Sequence, residues 1–376
     1  MAVRRVLILT AGFGEGHNAA ARNLRDALVA ADPAAQVETR DVLAEAYGSL
    51  NRISVIGYLF VINRLPRLWD FVFRWLDRTA GVQHHIGLLS IAAHRLEALL
   101  EQAKPDTVVS TYPGYSHLLD YAYERLPQRS FRLVTIVTDS LTINRVWHTA
   151  HSDWYVVANE ETAEVMRRQG VPPEKLRVAG FPVPRFFGES REPKSPPAPG
   201  AKWRVLFMVN SGNRAAVEAV RHLLKLDGID LTVTVGRNDA LGRRIGSLGG
   251  GVRVLGWTKE LPRLMAESHV VVSKAGGATV QECLAAATPM IVSQVVPGQE
   301  EGNARLIAQA EAGVIADTPE GIARAVREAF ADGGVLWQKW YAGAQRLSRP
   351  HAASEIAAWI LDDLRADPAA VKPSEF

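Results

Sequence analysis

Along the chain, brief aliphatic runs alternate with longer stretches whose apolar positions return at helical spacing. Runs of roughly 4–8 apolar residues bounded by turn residues predict strands, and longer stretches of 3.6 period predict helices. Strands are expected at Val6 to Ala11, Gln36 to Val42, Thr107 to Ser110, Leu133 to Thr138 and Trp154 to Ala158, with Val178 to Val183 as a last edge. A second series follows at Arg204 to Val209, Leu231 to Val235, Val252 to Leu255, Val270 to Val272 and Met290 to Val292. Helices are expected at Asn18 to Ala31, Ile91 to Leu100, Glu160 to Gln169, Ala215 to Leu226, Leu261 to Glu267, Pro319 to Phe330 and Ala352 to Arg365. Both halves read β-α-β-α, the order of an α/β chain with two facing Rossmann-like domains.

The stretch from Arg185 to Lys202 (RFFGESREPKSPPAPGAK) is rich in proline and charge and has little to bury, which predicts a linker. The chain then divides into an N-terminal domain over 1–184, the linker at 185–202 and a C-terminal domain over 203–348. A final helix within 349–376 is expected to pack back on the first domain.

One region departs from the pattern. Ile53 to Ile62 is nearly all apolar, and Asn63 to Arg78 (NRLPRLWDFVFRWLDR) is aromatic and basic. At about 100° per residue, Leu65, Leu68, Trp69, Val72, Phe73 and Leu76 share one helical face, which Phe71 and Trp75 widen. The arc of about 200° is broader than the roughly 100° stripe that one core needs. Such a helix is either sandwiched between elements or lies in a membrane interface, with Arg67 and Arg74 on its polar side. From Leu50 to Ala80 there are five arginines against two aspartates, which suits anionic membrane lipid.

Composition narrows the class. At 376 residues, 47% hydrophobic and 22% charged, the chain is a globular one long enough for two cores. A net charge of +3 does not call for nucleic acid. The single cysteine, Cys283, excludes an internal disulfide and fits a reducing compartment. The N-terminal apolar run is too short for a signal peptide, and no run reaches the ~20 residues of a spanning helix. A cytoplasmic protein, peripheral on the inner face of the cell membrane, is expected.

Two loops carry candidate chemistry. Gly12, Gly14 and Gly16 form a glycine loop before a helix, where backbone can approach a ligand and negative charge is attracted. His17 stands where a dinucleotide fingerprint has its last glycine, which argues against a nicotinamide site. It reads either as a general base or as a residue capping the turn. Asp139, at the same sheet edge, is a ligand-facing carboxylate or a turn cap, and Tyr112-Pro113-Gly114 is a turn at that edge. The second loop lies within HVVVSKAGGATVQECLAAATPMIVSQVVPGQEEGNARL. Backbone N–H groups of Gly276, Gly277, Ala278 and Thr279 suit a diphosphate at a helix start. Glu282, one turn in, suits a ribose, and Gln299 with Glu300 suits sugar hydroxyls. No zinc spacing, P-loop, G-x-S-x-G or Asp-x-Asp pair is present, so neither metal nor cofactor is expected.

SKAGGATVQECLAAATPMIV…PGQEEGNA resembles the donor-binding motif of the glycosyltransferases that make galactosyl- and glucosyl-diacylglycerol. AGFGEGHNAAARNL and VTDSLTINRVWHTAHSDWYVVANEET resemble that family's N-terminal loop and mid-domain segment. The resemblance implies the GT-B fold with a cleft between its domains, inversion at the sugar, no metal, and a UDP-sugar held by the second domain. Diacylglycerol would be the acceptor. It implies His17 as base with Asp139 as runner-up or orienter, and Gly14, Gly16 and Tyr112 near the acceptor. On the donor side it implies Glu282 at ribose, Gly276 to Thr279 around the diphosphate with Gly212 also facing the phosphates, the backbone near Trp257 at uracil, Gln299 and Glu300 at the sugar, and Lys274 as a further donor-binding residue. Trp69, Phe71, Trp75, Arg67 and Arg74 would face the membrane. A UDP-N-acetylglucosamine 2-epimerase and a non-catalytic nucleotide-sugar sensor are the alternatives.

Overall fold

The computed structural model describes residues 4–65, 68–69, 71–72, 89–123, 129–189, 193–209, 213–298 and 300–366. The chain divides into two compact units, one of Met1–Arg185, Pro297–Gln299 and His351–Phe376, the other of Phe186–Val296 and Glu300–Pro350.

The first unit is a parallel sheet in the order β2-β1-β3-β4-β5-β6. Its strands are β1 (Arg5–Leu9), β2 (Gln36–Arg40), β3 (Thr107–Ser110), β4 (Arg132–Ile136), β5 (Trp154–Val157) and β6 (Leu176–Val178). The helices are α1 (Glu15–Ala31), α2 (Val42–Tyr47), α3 (Ser49–Arg64), α4 (Ser90–Ala103), α5 (Gly114–Tyr123) and α6 (Glu160–Arg168). Alternation along β1 sends Leu7 and Leu9 to a core with Leu96, Tyr115 and Leu118. Val6 and Ile8 face the opposite core with Leu24 and Leu28 of α1. Both faces are covered, as a parallel sheet requires. The second strand stops at Arg40, short of the expected Val42, because Asp41 caps α2 by accepting the Ala44 N–H at 2.8 Å.

The second unit repeats the plan in the order β12-β11-β10-β7-β8-β9. Its strands are β7 (Trp203–Met208), β8 (Ile229–Thr234), β9 (Arg253–Leu255), β10 (Val270–Lys274), β11 (Met290–Gln294) and β12 (Gly313–Ile315). Its helices are α7 (Asn213–Leu223), α8 (Asp239–Gly246), α9 (Leu261–Glu267), α10 (Gly277–Ala285), α11 (Glu301–Gln309), α12 (Pro319–Phe330) and α13 (Val335–Arg346). The last helix, α14 (Ala352–Ala366), belongs to the first unit, where Ile356, Ile360 and Leu361 pack with Leu24 and Leu28.

Residues 193–202 form neither helix nor strand and are fastened to the second unit. The Lys194 ammonium donates to the Ser268 carbonyl at 2.9 Å and to the Thr288 hydroxyl. Next to it, the His269 ring accepts the Arg204 N–H through Nδ1 at 2.9 Å.

Candidate active site

In an open parallel sheet, ligands bind beyond the carboxyl ends of the strands where the chain reverses its direction of strand addition. In the first unit that point lies between β1 and β3, which are neighbours on either side of the reversal. The loops leaving these strands meet there through His17. His17 sits on the first turn of α1, and its Nδ1 is 2.7 Å from the carbonyl of Thr111, just past β3. A carbonyl only accepts, so Nδ1 carries the proton and Nε2 keeps its lone pair. The Thr138 hydroxyl stands 3.1 Å from the same nitrogen. Burial pushes the His17 pKa down from 6.5 to about 4, against the opposing pull of the Thr111 bond. The ring is therefore neutral at pH 7, with its tautomer fixed by the fold.

Asp139 lies beyond β4 and accepts the Trp147 indole N–H at 2.8 Å. The Trp147 ring in turn packs 6.0 Å from that of His17. The Thr111 carbonyl thus takes the orienting position on Nδ1, and Asp139 joins the group through an indole. The glycine loop is held from β2: Asp41 accepts the Gly12 N–H at 3.1 Å. Burial raises the Asp41 pKa, while its bonds to Ala44 and Gly12 oppose the rise. Gly14 precedes α1 at φ 141°, which L side chains rarely adopt, and Gly16 lies within the helix.

From His17 a chain of rings runs outward. Tyr112 meets His17 edge-on at 5.2 Å and stacks on Phe13 at 5.7 Å. Phe13 meets Tyr58 of α3 at 5.7 Å, and Tyr58 meets Trp69 at 5.0 Å. The outer face of α3 exposes Leu50, Ile53, Ile56 and Phe60 at 59–65% of their surface, and Phe71 is 68% exposed. Helical spacing therefore lines up an apolar stripe facing out, the reverse of a core-packing helix. Arg67, Arg74 and Trp75 lie outside the described residues.

In the second unit the reversal lies between β7 and β10. Helix α10 starts there with Gly276, which has no side chain to cap it, at the N-cap. The Val280 N–H closes the first turn on the Gly276 carbonyl at 2.9 Å. The N–H groups of Gly277, Ala278 and Thr279 come before that bond, where a helix has no internal acceptors, and the macrodipole adds positive potential. Lys274, ending β10, donates to Glu300 Oε1 at 2.7 Å, and Glu300 Oε2 accepts the Val296 N–H at 3.1 Å. Asn303 is buried and donates to the Ala275 carbonyl at 3.1 Å. Glu282 is half-buried on α10, and Trp257, past β9, is 63% exposed. Gly212 and Gln299 lie outside the described residues. Among those residues no group of His, Cys, Asp and Glu is placed to hold a metal, and no helix is long and apolar enough to cross a membrane.

Sequence reasoning missed several of these contacts. Thr111 acts through its backbone, which no residue type betrays. Trp147 reaches Asp139 and His17 only through the folded loop. Asn303 had a usable signal, since it stands one helical turn beyond Glu300 in the same motif.

Residues 17–183 match the family model described as monogalactosyldiacylglycerol (MGDG) synthase, and residues 206–332 match glycosyl transferases group 1. The processive diacylglycerol beta-glucosyltransferase of Bacillus subtilis (strain 168) is 24% identical, over 89% of this chain and 88% of the relative. Monogalactosyldiacylglycerol synthase 3, chloroplastic, of Arabidopsis thaliana is 26% identical, over 94% and 80%. Among solved structures, the UDP-GlcNAc 2-epimerase from Neisseria meningitidis bound to UDP-GlcNAc superposes with a TM-score of 0.58 at 14% identity, over 96% of this chain and 100% of that one. The spinosyn rhamnosyltransferase SpnG complexed with thymidine diphosphate gives 0.61 at 15% identity, over 95% and 100%. The epimerase and the transferase share the fold, so fold alone does not choose between them; the sequence relatives do. With a GT-B fold and both of its halves matched by glycosyltransferase models, this chain is a UDP-sugar glycosyltransferase, similar in sequence to monogalactosyldiacylglycerol synthases and processive diacylglycerol glucosyltransferases.

Proposed function

We propose that the enzyme transfers a hexose, glucose or galactose, from a UDP-sugar to the free hydroxyl of diacylglycerol, with inversion and without a metal, at the cytoplasmic face of the membrane. The observation that carries this reading is the buried, neutral His17, whose Nδ1 is committed to Thr111 and whose Nε2 is left to take a proton. As the acceptor oxygen bonds to C1 of the sugar, its proton passes to Nε2. The bond from C1 to the β-phosphate oxygen breaks with its electron pair going to UDP, and attack opposite that bond inverts the centre. The N-terminus of α10, with a glycine at its cap, supplies donors for the growing negative charge on the diphosphate. Glu282 takes the ribose hydroxyls, and the backbone near Trp257 takes the uracil.

The lipid half of the reading is supported by the exposed stripe on α3 and by the ring chain from that helix to His17. The names of the sequence relatives point the same way. The stripe lies in the interface of an anionic membrane, and the acceptor reaches His17 past Tyr112, Phe13 and Tyr58.

The test is turnover with purified protein, diacylglycerol vesicles, and UDP-glucose or UDP-galactose in parallel, with and without chelator. Glycosyldiacylglycerol of inverted configuration, formed equally with chelator present, is the expected product. Loss of activity on chelation would remove the metal-free mechanism. An epimer formed from UDP-N-acetylglucosamine alone would select the epimerase reading.

A further inference from the structure

Resting on the lipid half of the reading above, we propose that Asp41 is a positioning residue that couples helix α3 to the glycine loop leading to His17, so that the base is aligned for an acceptor presented at a surface. Asp41 spans two elements. Its Oδ1 accepts the Ala44 N–H at 2.8 Å and caps α2, while its Oδ2 accepts the Gly12 N–H at 3.1 Å. Capping needs only one acceptor, which Asn or Ser would supply without burying a charge. The second acceptor oxygen is what a carboxylate adds here, since an amide would set N–H against N–H. Among the described residues no cation pairs with Asp41, and a half-buried charge without one costs stability. The bond to Gly12 offsets part of that cost.

The loop that Asp41 grips is also what α3 rests on. A Cβ built on Gly12 would stand 3.7 Å from Asp41 Oδ2 and 3.9 Å from Val55 Cγ2 of α3. Phe13, the next residue, meets Tyr58 one turn further along that helix. Val55, Tyr58 and Ile62 share the inner side of α3, opposite the exposed Ile53, Ile56 and Phe60. Asp41 and α3 therefore hold Gly12 from two sides, and α2 joins them along the chain. The start of the loop is tied in turn to α1. The Tyr115 hydroxyl donates to the Thr10 carbonyl at 2.8 Å, and the Thr10 hydroxyl donates to Asn18 Oδ1 at 2.9 Å, beside His17. A load on the outer face of α3 thus reaches the base through a loop that Asp41 keeps in register.

The experiment compares turnover of the full-length protein on long-chain diacylglycerol in phosphatidylglycerol vesicles with turnover on dihexanoylglycerol dispersed as monomers. An acceptor met in solution bypasses α3 and does not draw on the tie, so the wild type should be faster on vesicles. Asp41→Asn keeps the cap on α2 through its amide oxygen and turns a donor toward Gly12. Its ratio of vesicle to monomer turnover should fall by about tenfold or more, the scale of a misplaced reacting group, while flotation on the vesicles and UDP binding hold within about twofold. Val55→Ala, which withdraws the α3 side of the same contact and leaves Asp41 intact, should lower the ratio as well, and it decides the matter if a thermal melt shows Asp41→Asn unfolded. An unchanged ratio, or an equal loss on both acceptors, would mark a merely structural role for Asp41 and overturn the coupling. Equal rates of the wild type on both acceptors would overturn it too. A wild type that glycosylates neither acceptor would instead bring down the diacylglycerol reading and the inference with it.

Discussion

At the scale of the residue, His17 joins burial to a fixed, deprotonated ring nitrogen. Its Nδ1 proton is spent on the Thr111 carbonyl, so truncation removes a proton acceptor. His17→Ala should lower kcat by about 10²–10⁴-fold, the usual worth of a general base, while UDP affinity stays unchanged. Titration by calorimetry alongside turnover checks both halves. With the His17 pKa at about 4, activity should stay flat from pH 8 down to 6. An acid limb centred near 6.5 would assign the titration to another group. Stability carries the same signature. His17 and His269 are each depressed from 6.5 to about 4, mainly by burial, so the unfolded chain takes up protons before the folded one. Their contribution is complete above pH 6.5 and is lost as the pH falls through about 4, which a series of melts over that range reads directly. Asp41 and Asp120, raised above 3.8 by burial, act with the opposite sign at the acid end.

At the scale of the element, most helices and strands were legible because their apolar period was clean. Leu261–Glu267 and Pro319–Phe330 coincide with expectation to the residue. The helix Gly114–Tyr123 reads only as a turn in the sequence, because Tyr112-Pro113-Gly114 carries a strong turn signal that masks the helical period behind it. The broad apolar arc from Leu65 to Leu76 left a sandwiched helix and an interfacial one open, and most of that stretch lies outside the described residues. In the folded unit α3 turns Ile53 and Phe60 outward at 65% and 59% exposure. Ile53→Ser with Phe60→Ser should leave the melting temperature within about 2 °C, since exposed substitutions rarely cost more than about 0.5 kcal/mol. Flotation on anionic vesicles should fall about tenfold or more, from the apolar area lost to the interface. Equal flotation of variant and wild type would detach this helix from membrane binding.

At the scale of the molecule, the chain returns to its first unit at the end. Helix α14 lays Ile356, Ile360 and Leu361 on Leu24 and Leu28 of α1, and Arg177 lies 4.6 Å over the ring of Trp359. Each fully buried aliphatic side chain is worth about 1.5–3 kcal/mol, so losing these contacts consumes most of a domain's stability of about 5–15 kcal/mol. Deletion of residues 351–376 should therefore unfold the first unit. Limited proteolysis should cut within 4–185 while the second unit stays resistant. Protection of both units in the truncated protein would show that α14 is dispensable.

The sequence alone determined what repeating chemistry can encode: parallel α/β units from apolar period, their glycine-led helix starts, and a donor motif whose residues are local to one another. Those features sit within a turn or two along the chain, where spacing and geometry are nearly the same thing. Tertiary structure decided the rest. The proton on His17 is placed by a carbonyl 94 positions away, Asp139 is occupied by an indole from a later turn, and the outward roll of α3 follows from which face its neighbours leave uncovered. Such contacts depend on the crossing of strands at a sheet's switch point, and no local pattern records them.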